Sequence, residues 1–345
     1  MCNQILAARI LLAFSLFFGF GSAAFAKDEV VHLYSARNEA LIKPMLDKFT
    51  AKTGIEVKLI TSKADALLKR LETEGRNTPA DVLLTTDAGR LHRAKEAGVL
   101  QPVKSDLLNK VIPAQYRDVD GYWFGLSLRA RPIVYARDRV NPEKELSTYE
   151  ALADPAMKGR VCIRSSDNIY NQSLVASMIS TRGETATEAW AKGLVKNFAR
   201  PPKGGDRDQI KAVAAGQCDV AVINTYYLGV MLAGDKADER EAGEKVAIFW
   251  PNQSDRGTHV NVSGAGVTAH AKHKNNAIKL IEFLASEEAQ AWYASVNHEY
   301  PVIENLESSK LLNSWGEFKA DTINLTELGR LNADAVRLMD RARWR

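Results

Sequence analysis

Apolar positions along the chain follow two periods, which predict alternating strands and helices. Short apolar or alternating runs, typical of strands, lie at 30–33, 55–60 and 80–84. Apolar residues with helical spacing lie between and after these runs, at 41–49, 64–74 and 89–97. Gly54 and Gly75 stand where the first two helices should end. This strand–helix order favours a mainly parallel sheet covered by helices.

The same pattern restarts in the second half of the chain. Further strands are predicted at 132–136, 160–164, 219–223, 246–250 and 262–268. Further helices are predicted at 173–180, 187–198, 207–215 and 228–233, with one long helix at 277–295. No long flexible linker separates the two halves. We therefore expect an α/β protein of two lobes, with several chain crossings and a ligand cleft between the lobes.

The first residues have the pattern of a secretory signal peptide. Arg9 is the only charged residue before Lys27, an apolar stretch occupies 10–18, and Ala24-Phe25-Ala26 is a small-residue cleavage pattern. We expect residues 1–26 to be removed on export to the periplasm. No later apolar segment approaches the roughly 20 residues that a membrane-spanning helix needs.

Charge and cysteine content narrow the classes further. The formal net charge is +4 and the basic residues are spread along the chain, so nucleic-acid binding is not expected. Cys162 and Cys218 lie near two predicted strands that can be neighbours, and an exported chain meets oxidising conditions. A disulfide is therefore expected, and two buried thiols are the alternative.

Signatures of catalysis are missing from the sequence. Six histidines lack the H-x-x-x-H spacing of a zinc enzyme, and the Ser165-Ser166 pair lacks the glycines of a nucleophile elbow. No Walker-type phosphate loop occurs, so the chain is not expected to hydrolyse ATP. We expect a binding protein and not an enzyme.

Two adjacent tyrosines mark the most informative position. Tyr226 and Tyr227 follow the predicted strand 219–223 and precede a predicted helix. Within a strand, neighbouring side chains point to opposite faces, but at a strand-to-helix junction both phenols can converge. Converging phenol oxygens suit a hard, highly charged cation. The alternative is one buried and one surface tyrosine.

Eight short stretches then match a known family in order along the chain. They are LYSAR at 33–37, TGIEV at 53–57, PADVLL at 79–84, WFGL at 123–126, SDNIYN at 166–171, GGDRDQ at 204–209, NTYY at 224–227 and HEYPV at 298–302. With them the chain resembles periplasmic ferric-ion-binding proteins, the solute receptors of bacterial iron ABC importers. The double tyrosine after an asparagine, with a third tyrosine near residue 170, is the most specific of these matches.

The resemblance implies a two-lobed periplasmic binding protein of type II fold that closes around its ligand. We expect one lobe from 27–129 and 258–304, and the other from 130–257 and 305–345. The implied function is capture of ferric iron and its delivery to an inner-membrane ABC permease powered by a separate ATPase subunit. A monomer is sufficient for such a shuttle.

The resemblance also implies the metal ligands. Tyr226 and Tyr227 correspond to ligands of ferric ion, with Tyr170 as a third phenolate. Tyr34 matches a position that binds iron in some branches of the family. Several branches have a histidine where this chain has Asn38, which argues against a histidine ligand here.

A small anion such as carbonate often completes the iron shell in relatives with this pattern. Arg37 is the first candidate to hold it, because a guanidinium can bind carbonate through two parallel hydrogen bonds. A surface salt bridge is the alternative for Arg37. Arg129 and Arg131 follow a predicted crossing between lobes and are further candidates. Asn224 can orient a phenolate or donate to the anion, and an ordinary helix N-cap is its alternative.

Two other functions stay open at this point. The ligand of the same fold can be an organic anion, a phosphonate or a thiamine-like molecule, on which the tyrosines stack. An enzyme on an α/β scaffold is the second alternative, and the missing acid/base pair, triad and zinc motif weigh against it.

Overall fold

The computed structural model describes residues 29–345, so the predicted signal peptide at 1–26 lies outside the described residues. Its strands are β1 (Val30–Ser35), β2 (Glu56–Thr61), β3 (Val82–Thr86), β4 (Phe124–Ala130), β5 (Ile133–Ala136), β6 (Val161–Cys162), β7 (Val220–Val222), β8 (Val246–Phe249) and β9 (Val260–Val267). They form two separate sheets, each covered by helices, which confirms the α/β class.

Helices surround both sheets. They are α1 (Lys43–Thr53), α2 (Ala64–Glu74), α3 (Ala88–Glu96), α4 (Asp106–Val111), α5 (Pro142–Glu145), α6 (Ile169–Arg182), α7 (Glu184–Lys196), α8 (Asp206–Ala214), α9 (Thr225–Ala233), α10 (Ala237–Glu244), α11 (Lys274–Leu284), α12 (Glu287–Trp292), α13 (Lys310–Asn313), α14 (Thr326–Arg330) and α15 (Asn332–Arg341). Within residues 29–345, no helix combines the length and apolar character that crossing a membrane requires.

The first sheet has the strand order β2-β1-β3-β9-β4. Strand β1 is parallel to both β2 and β3, whereas β9 returns from the second half of the chain and runs antiparallel to β3 and β4. The second sheet has the order β6-β7-β5-β8, in which only β6 and β7 are parallel. The prediction of parallel strands is confirmed for β1, β2 and β3, on which it was based, whereas the antiparallel pairs involve strands from later in the chain.

Two further differences concern element boundaries. Strand β4, which begins within the WFGL stretch, was not predicted, although all its residues are buried. The long helix predicted at 277–295 is two helices, α11 and α12, because Ser286 begins a new helix by accepting a hydrogen bond from the Ala289 N–H. Gly54 ends α1 as predicted, in the left-handed region at φ 74°.

The chain passes twice between the sheets at adjacent points. The first crossing joins β4 to β5 through Arg131, and the second joins β8 to β9 just before His259. The Arg131 N–H donates to the His259 carbonyl (3.0 Å). The Tyr149 hydroxyl donates to the Arg131 carbonyl (2.7 Å) and accepts from the His259 N–H (3.1 Å), so one buried tyrosine ties both crossings together.

The predicted disulfide is present. Cys162 at the end of β6 and Cys218 just before β7 are bonded, with their Cα atoms 5.9 Å apart. The bond staples the two parallel strands of the second sheet. It closes a loop across 56 residues of sequence, which restricts the unfolded chain.

A buried ionic cluster joins β1, β4 and the loop after α12. Glu299 accepts hydrogen bonds from Arg37 (2.8 Å), Arg129 (3.1 Å) and Ser127 (2.7 Å). The side chains of Glu299 and both arginines are at most 6 % exposed. Burial opposes ionisation of Glu299, but the two guanidinium charges and the Ser127 hydroxyl outweigh it and lower its pKa to about 2.

We expect Glu299→Gln to lower the free energy of unfolding at pH 7 by about 3–5 kcal/mol, because two buried guanidinium groups then lack a countercharge. The depressed pKa gives a stabilisation that is present above the ordinary carboxyl pKa and is lost as the pH falls toward 2. Denaturant unfolding of both proteins should therefore show the largest difference at neutral pH and a smaller one near pH 2.5.

Asp47→Asn is the matched control, because Asp47 pairs with Lys43 on the surface, at 2.6 Å, with both side chains more than half exposed. Its cost should stay below about 1 kcal/mol. Equal effects of the two substitutions would show that the buried cluster contributes no more than a surface pair.

Candidate functional site

Three of the predicted tyrosines come together beyond the carboxyl end of β7 in the second sheet. Tyr226 and Tyr227 lie in the first turn of α9, and Tyr170 is the second residue of α6. The Tyr226 hydroxyl donates to the Tyr170 hydroxyl at 3.2 Å, and the rings of Tyr226 and Tyr227 lie 4.3 Å apart between centroids. All three side chains are half-buried. The phenol oxygens of two separate helices thus meet at one point.

Local chain geometry explains this placement. Strand β7 ends at Val222, and α9 starts three residues later, after Asn224 in an extended conformation. Helix α6 starts after Asn168, whose side chain accepts a hydrogen bond from the Tyr170 N–H (3.2 Å). Both tyrosine-bearing turns therefore lie at helix N-termini, where the helix dipole favours anionic oxygens.

Arg131 forms hydrogen bonds at the starts of α6, α8 and α9. Its guanidinium donates to Asn224 Oδ1 (2.9 Å), to Asn171 Oδ1 (2.5 Å) and to Asp206 Oδ2 (3.4 Å). Asp206, the first residue of α8, also accepts from the Asn224 N–H (2.6 Å). Arg131 is 1 % exposed, so one buried side chain at the first crossing contacts three helices of the second lobe.

Asn224 does not act as an ordinary cap. Its side chain makes no capping bond to α9, because its oxygen is taken by Arg131. Asn224 Nδ2 is buried and, within residues 29–345, finds no hydrogen-bond partner. It lines a narrow space with Asp87, Arg129, Arg131, Tyr170, His259 and Asn261.

Cationic groups surround the tyrosine rings. The Arg129 guanidinium lies 5.7 Å from the Tyr226 ring centroid, and those of Arg164 and Arg131 lie 5.6 and 6.0 Å from that of Tyr170. Arg164 also pairs with Asp206 (3.2 Å). The Arg129 charge lowers the pKa of Tyr226, whereas the neighbouring tyrosines raise it.

The two adjacent tyrosines hold their protons firmly in the absence of a cation. Burial, followed by the neighbouring Tyr170 and Tyr227, raises the pKa of Tyr226 well above its usual value. Burial and Tyr170 raise the pKa of Tyr227 to about 12, against the opposing charge of Arg164. A highly charged cation bound among phenols reverses such a preference, because its charge favours the anionic form of an oxygen ligand.

Tyr34, the fourth predicted metal ligand, lies apart from this cluster in the structure. Its side chain is fully buried on the α2 face of the first sheet, with Leu67 and Leu71. The hydroxyl donates to Glu74 (2.9 Å). Burial and Glu74 raise the pKa of Tyr34 to about 12. Strand alternation places Tyr34 on this face, which the motif match alone did not reveal.

Arg37 and Arg129, predicted as anion-binding residues, both form ion pairs within the protein. Both arginines bind the carboxylate of Glu299, so neither offers a free bidentate face to an exogenous anion in this structure. Glu299 belongs to the HEYPV stretch, and its role was missed because its partners lie 262 and 170 residues away. Arg164, Asp206 and Asp87 were likewise not predicted as parts of the site.

Contacts between the lobes cover the tyrosine cluster. Asp87, which follows β3, accepts hydrogen bonds from Ser173 of α6 (2.8 Å) and from Asn261 of β9 (3.0 Å). A Cβ on Gly229 of α9 would lie 2.6 Å from the Cβ of His298, so this glycine permits α9 to approach the loop after α12. The two lobes are therefore in direct contact beside the tyrosine cluster.

Comparison with known proteins places the chain in a family. Residues 44–320 match the model of the bacterial extracellular solute-binding proteins. The chain is 51 % identical to iron uptake protein A1 of Synechocystis, over 92 % of this chain and 88 % of the relative. It is 33 % identical to the Fe(3+)-binding periplasmic protein of Serratia marcescens, over 81 % of this chain and 80 % of the relative.

A solved structure agrees with these relatives. The Trichodesmium protein IdiA (FutA), in complex with iron and citrate ligands, superposes with a TM-score of 0.90 at 50 % identity, over 92 % of this chain and 100 % of that chain. This match confirms the two-lobed type II arrangement. The chain belongs to the bacterial extracellular solute-binding proteins, in the group of periplasmic ferric-ion-binding receptors of ABC importers.

Proposed function

We propose that the chain captures ferric ion in the cleft through the phenolates of Tyr170, Tyr226 and Tyr227. The observation that carries this proposal is the convergence of three phenols from two helix starts, with the hydroxyls of Tyr170 and Tyr226 3.2 Å apart. No side-chain carboxylate or imidazole is needed to balance the charge, because three phenolates offset a trivalent ion. Ferric ion is the cargo of this site, and the chain performs no catalysis on it.

A small anion completes the coordination shell in this proposal. The buried and unpartnered Nδ2 of Asn224, noted above for the described residues, supports a hydrogen-bond acceptor at this position. Arg164 supplies the accompanying charge, since its side chain pairs with Asp206 but stays 21 % exposed, whereas Arg37 is buried against Glu299. Carbonate and citrate both have this chemistry, and the related Trichodesmium structure contains citrate.

The lobes have separate roles in this proposal. One lobe comprises 27–129 and 258–304, and the other comprises 130–257 and 305–345 and holds all three tyrosines. Closure across the Asp87–Ser173 contact retains the ion until the receptor docks. The receptor acts in the periplasm as a monomer and delivers iron to an inner-membrane ABC permease with a separate ATPase subunit.

A visible absorption titration tests the ligand set. Chelator-stripped protein titrated with ferric citrate should develop a broad phenolate-to-iron charge-transfer band that saturates at one iron per chain. We expect Tyr226→Phe and Tyr227→Phe to abolish the band and Tyr170→Phe to weaken and shift it. Repeating the titration with bicarbonate in place of citrate identifies the anion that supports the band.

Tyr34→Phe is the matched control, because Tyr34 is a buried tyrosine outside the cluster. Its band should equal that of the unmodified protein, and a loss of the band would return Tyr34 to the ligand set. Absence of any band in the unmodified protein, with no iron-dependent rise in the unfolding midpoint, would reject the ferric function. An organic anion, a phosphonate or a thiamine-like ligand would then be the candidate.

Iron affinity should fall steeply as the pH is lowered. Each phenolate that binds iron must release a proton from a group whose ordinary pKa is near 10, and the pKa of Tyr227 is raised further, to about 12. Protons therefore compete with the ion throughout the range below these values. Competition against a chelator at several pH values measures this dependence, and a pH-independent affinity would contradict phenolate ligation.

A further inference from the structure

A second cluster of metal-ligating side chains lies in the first lobe, away from the tyrosines. His32 of β1, Asp81 just before β3 and His273 at the start of α11 each offer one ligand atom, and these atoms lie within 4.8 Å of one another. Asp81 Oδ2 lies 2.9 Å from His273 Nδ1 and 3.4 Å from His32 Nδ1. The two imidazole rings are 5.7 Å apart between centroids.

This cluster is at the opposite end of the first sheet from the cleft. Asp81 precedes β3, whereas Asp87, at the other end of the same strand, faces the second lobe. Six residues of extended chain separate the two positions, a span of about 20 Å. Ligands of the tyrosine cluster and of the histidine cluster therefore cannot be shared.

The geometry points to a site for a divalent late transition metal, with Zn²⁺ as the reference ion. We propose that His32, Asp81 and His273 bind it through two imidazole nitrogens and one carboxylate oxygen. Such ligands suit Zn²⁺, Ni²⁺ and Cu²⁺, whereas ferric ion prefers the phenolates of the cleft. Ligand bonds of about 2.0–2.1 Å in a tetrahedral shell place neighbouring ligand atoms about 3.3 Å apart, close to the 3.4 and 2.9 Å found.

The carboxylate is already oriented for this role. Asp81 is fully buried, and its oxygens accept from the backbone N–H groups of His32 (2.9 Å) and His273 (2.8 Å). These bonds fix the acid between the two residues whose side chains flank it, so little ordering remains when a metal binds. The imidazoles stay 31 % and 17 % exposed, which leaves an entry path and open coordination positions for water.

The lysine next to His32 across the sheet is neutralised by a carboxylate. Lys58 lies beside His32 in the register of β1 and β2, but Glu56 of the same strand pairs with it. In the metal-free cluster, an imidazole Nδ1–H donates to Asp81. A metal takes the place of that proton, and the neutral imidazole then carries its proton on Nε2.

Zinc binding by calorimetry tests this proposal on protein purified without a polyhistidine tag and stripped with a chelator. The Tyr226→Phe variant is the preferred background, because it removes competition from the cleft. We expect one Zn²⁺ per chain at pH 7.5, and an apparent dissociation constant at least about tenfold higher in His32→Gln and in His273→Gln. Co²⁺ should give the intense visible bands of a low-coordinate site.

His270→Gln is the matched control, because His270 lies three residues from His273 on the same surface but outside the cluster. It should bind zinc as tightly as the parent protein. Zinc binding that is absent, or that is unchanged in both cluster variants, would overturn the proposal and leave a hydrogen-bonded His–Asp–His staple. The ferric band of His273→Gln should equal that of the unmodified protein, so the two sites are tested independently.

Discussion

The site depends on the hydrogen bonds that the buried guanidinium of Arg131 makes. Its backbone lies in the first crossing and bonds to the second crossing at His259, while its side chain reaches Asn171, Asp206 and Asn224. Asn171 lies in α6 and Asn224 precedes α9, the two helices that hold the tyrosines, and Asp206 begins α8. A guanidinium has a planar, rigid arrangement of donors. This single group therefore positions the three helix starts relative to one another and to the first crossing.

The part of the site that the sequence predicted consists of residues that are adjacent along the chain. Tyr226 and Tyr227 converge because a strand ends and a helix begins within three residues, and both signals are local. Tyr170 required the resemblance, because a tyrosine after a turn is otherwise an ordinary half-buried residue. The position of Tyr34 apart from the cluster could not be predicted, because a motif match locates a residue along a strand but does not decide which face its side chain occupies.

Other features could not be predicted, because they depend on contacts between residues that are distant along the chain. Glu299 neutralises Arg37 and Arg129 across 262 and 170 residues, and no local spacing indicates that pairing. The direction of β9 was missed for the same reason, since the strand pairs with β3 and β4 only after the chain has built the second lobe and returned. Apolar patterns predict where helices and strands lie along the chain. Which buried charges pair depends instead on how those elements pack in the tertiary structure.

In the proposed ferric site, the raised pKa values of the phenols bear on release of the ion as well as on its capture. A trivalent ion displaces three protons in that proposal because its attraction to three anionic oxygens exceeds the cost of ionising phenols with raised pKa values, such as those of Tyr226 and Tyr227. A fall in pH returns protons to these phenols, so it weakens the same bonds that hold the ion in the proposed site.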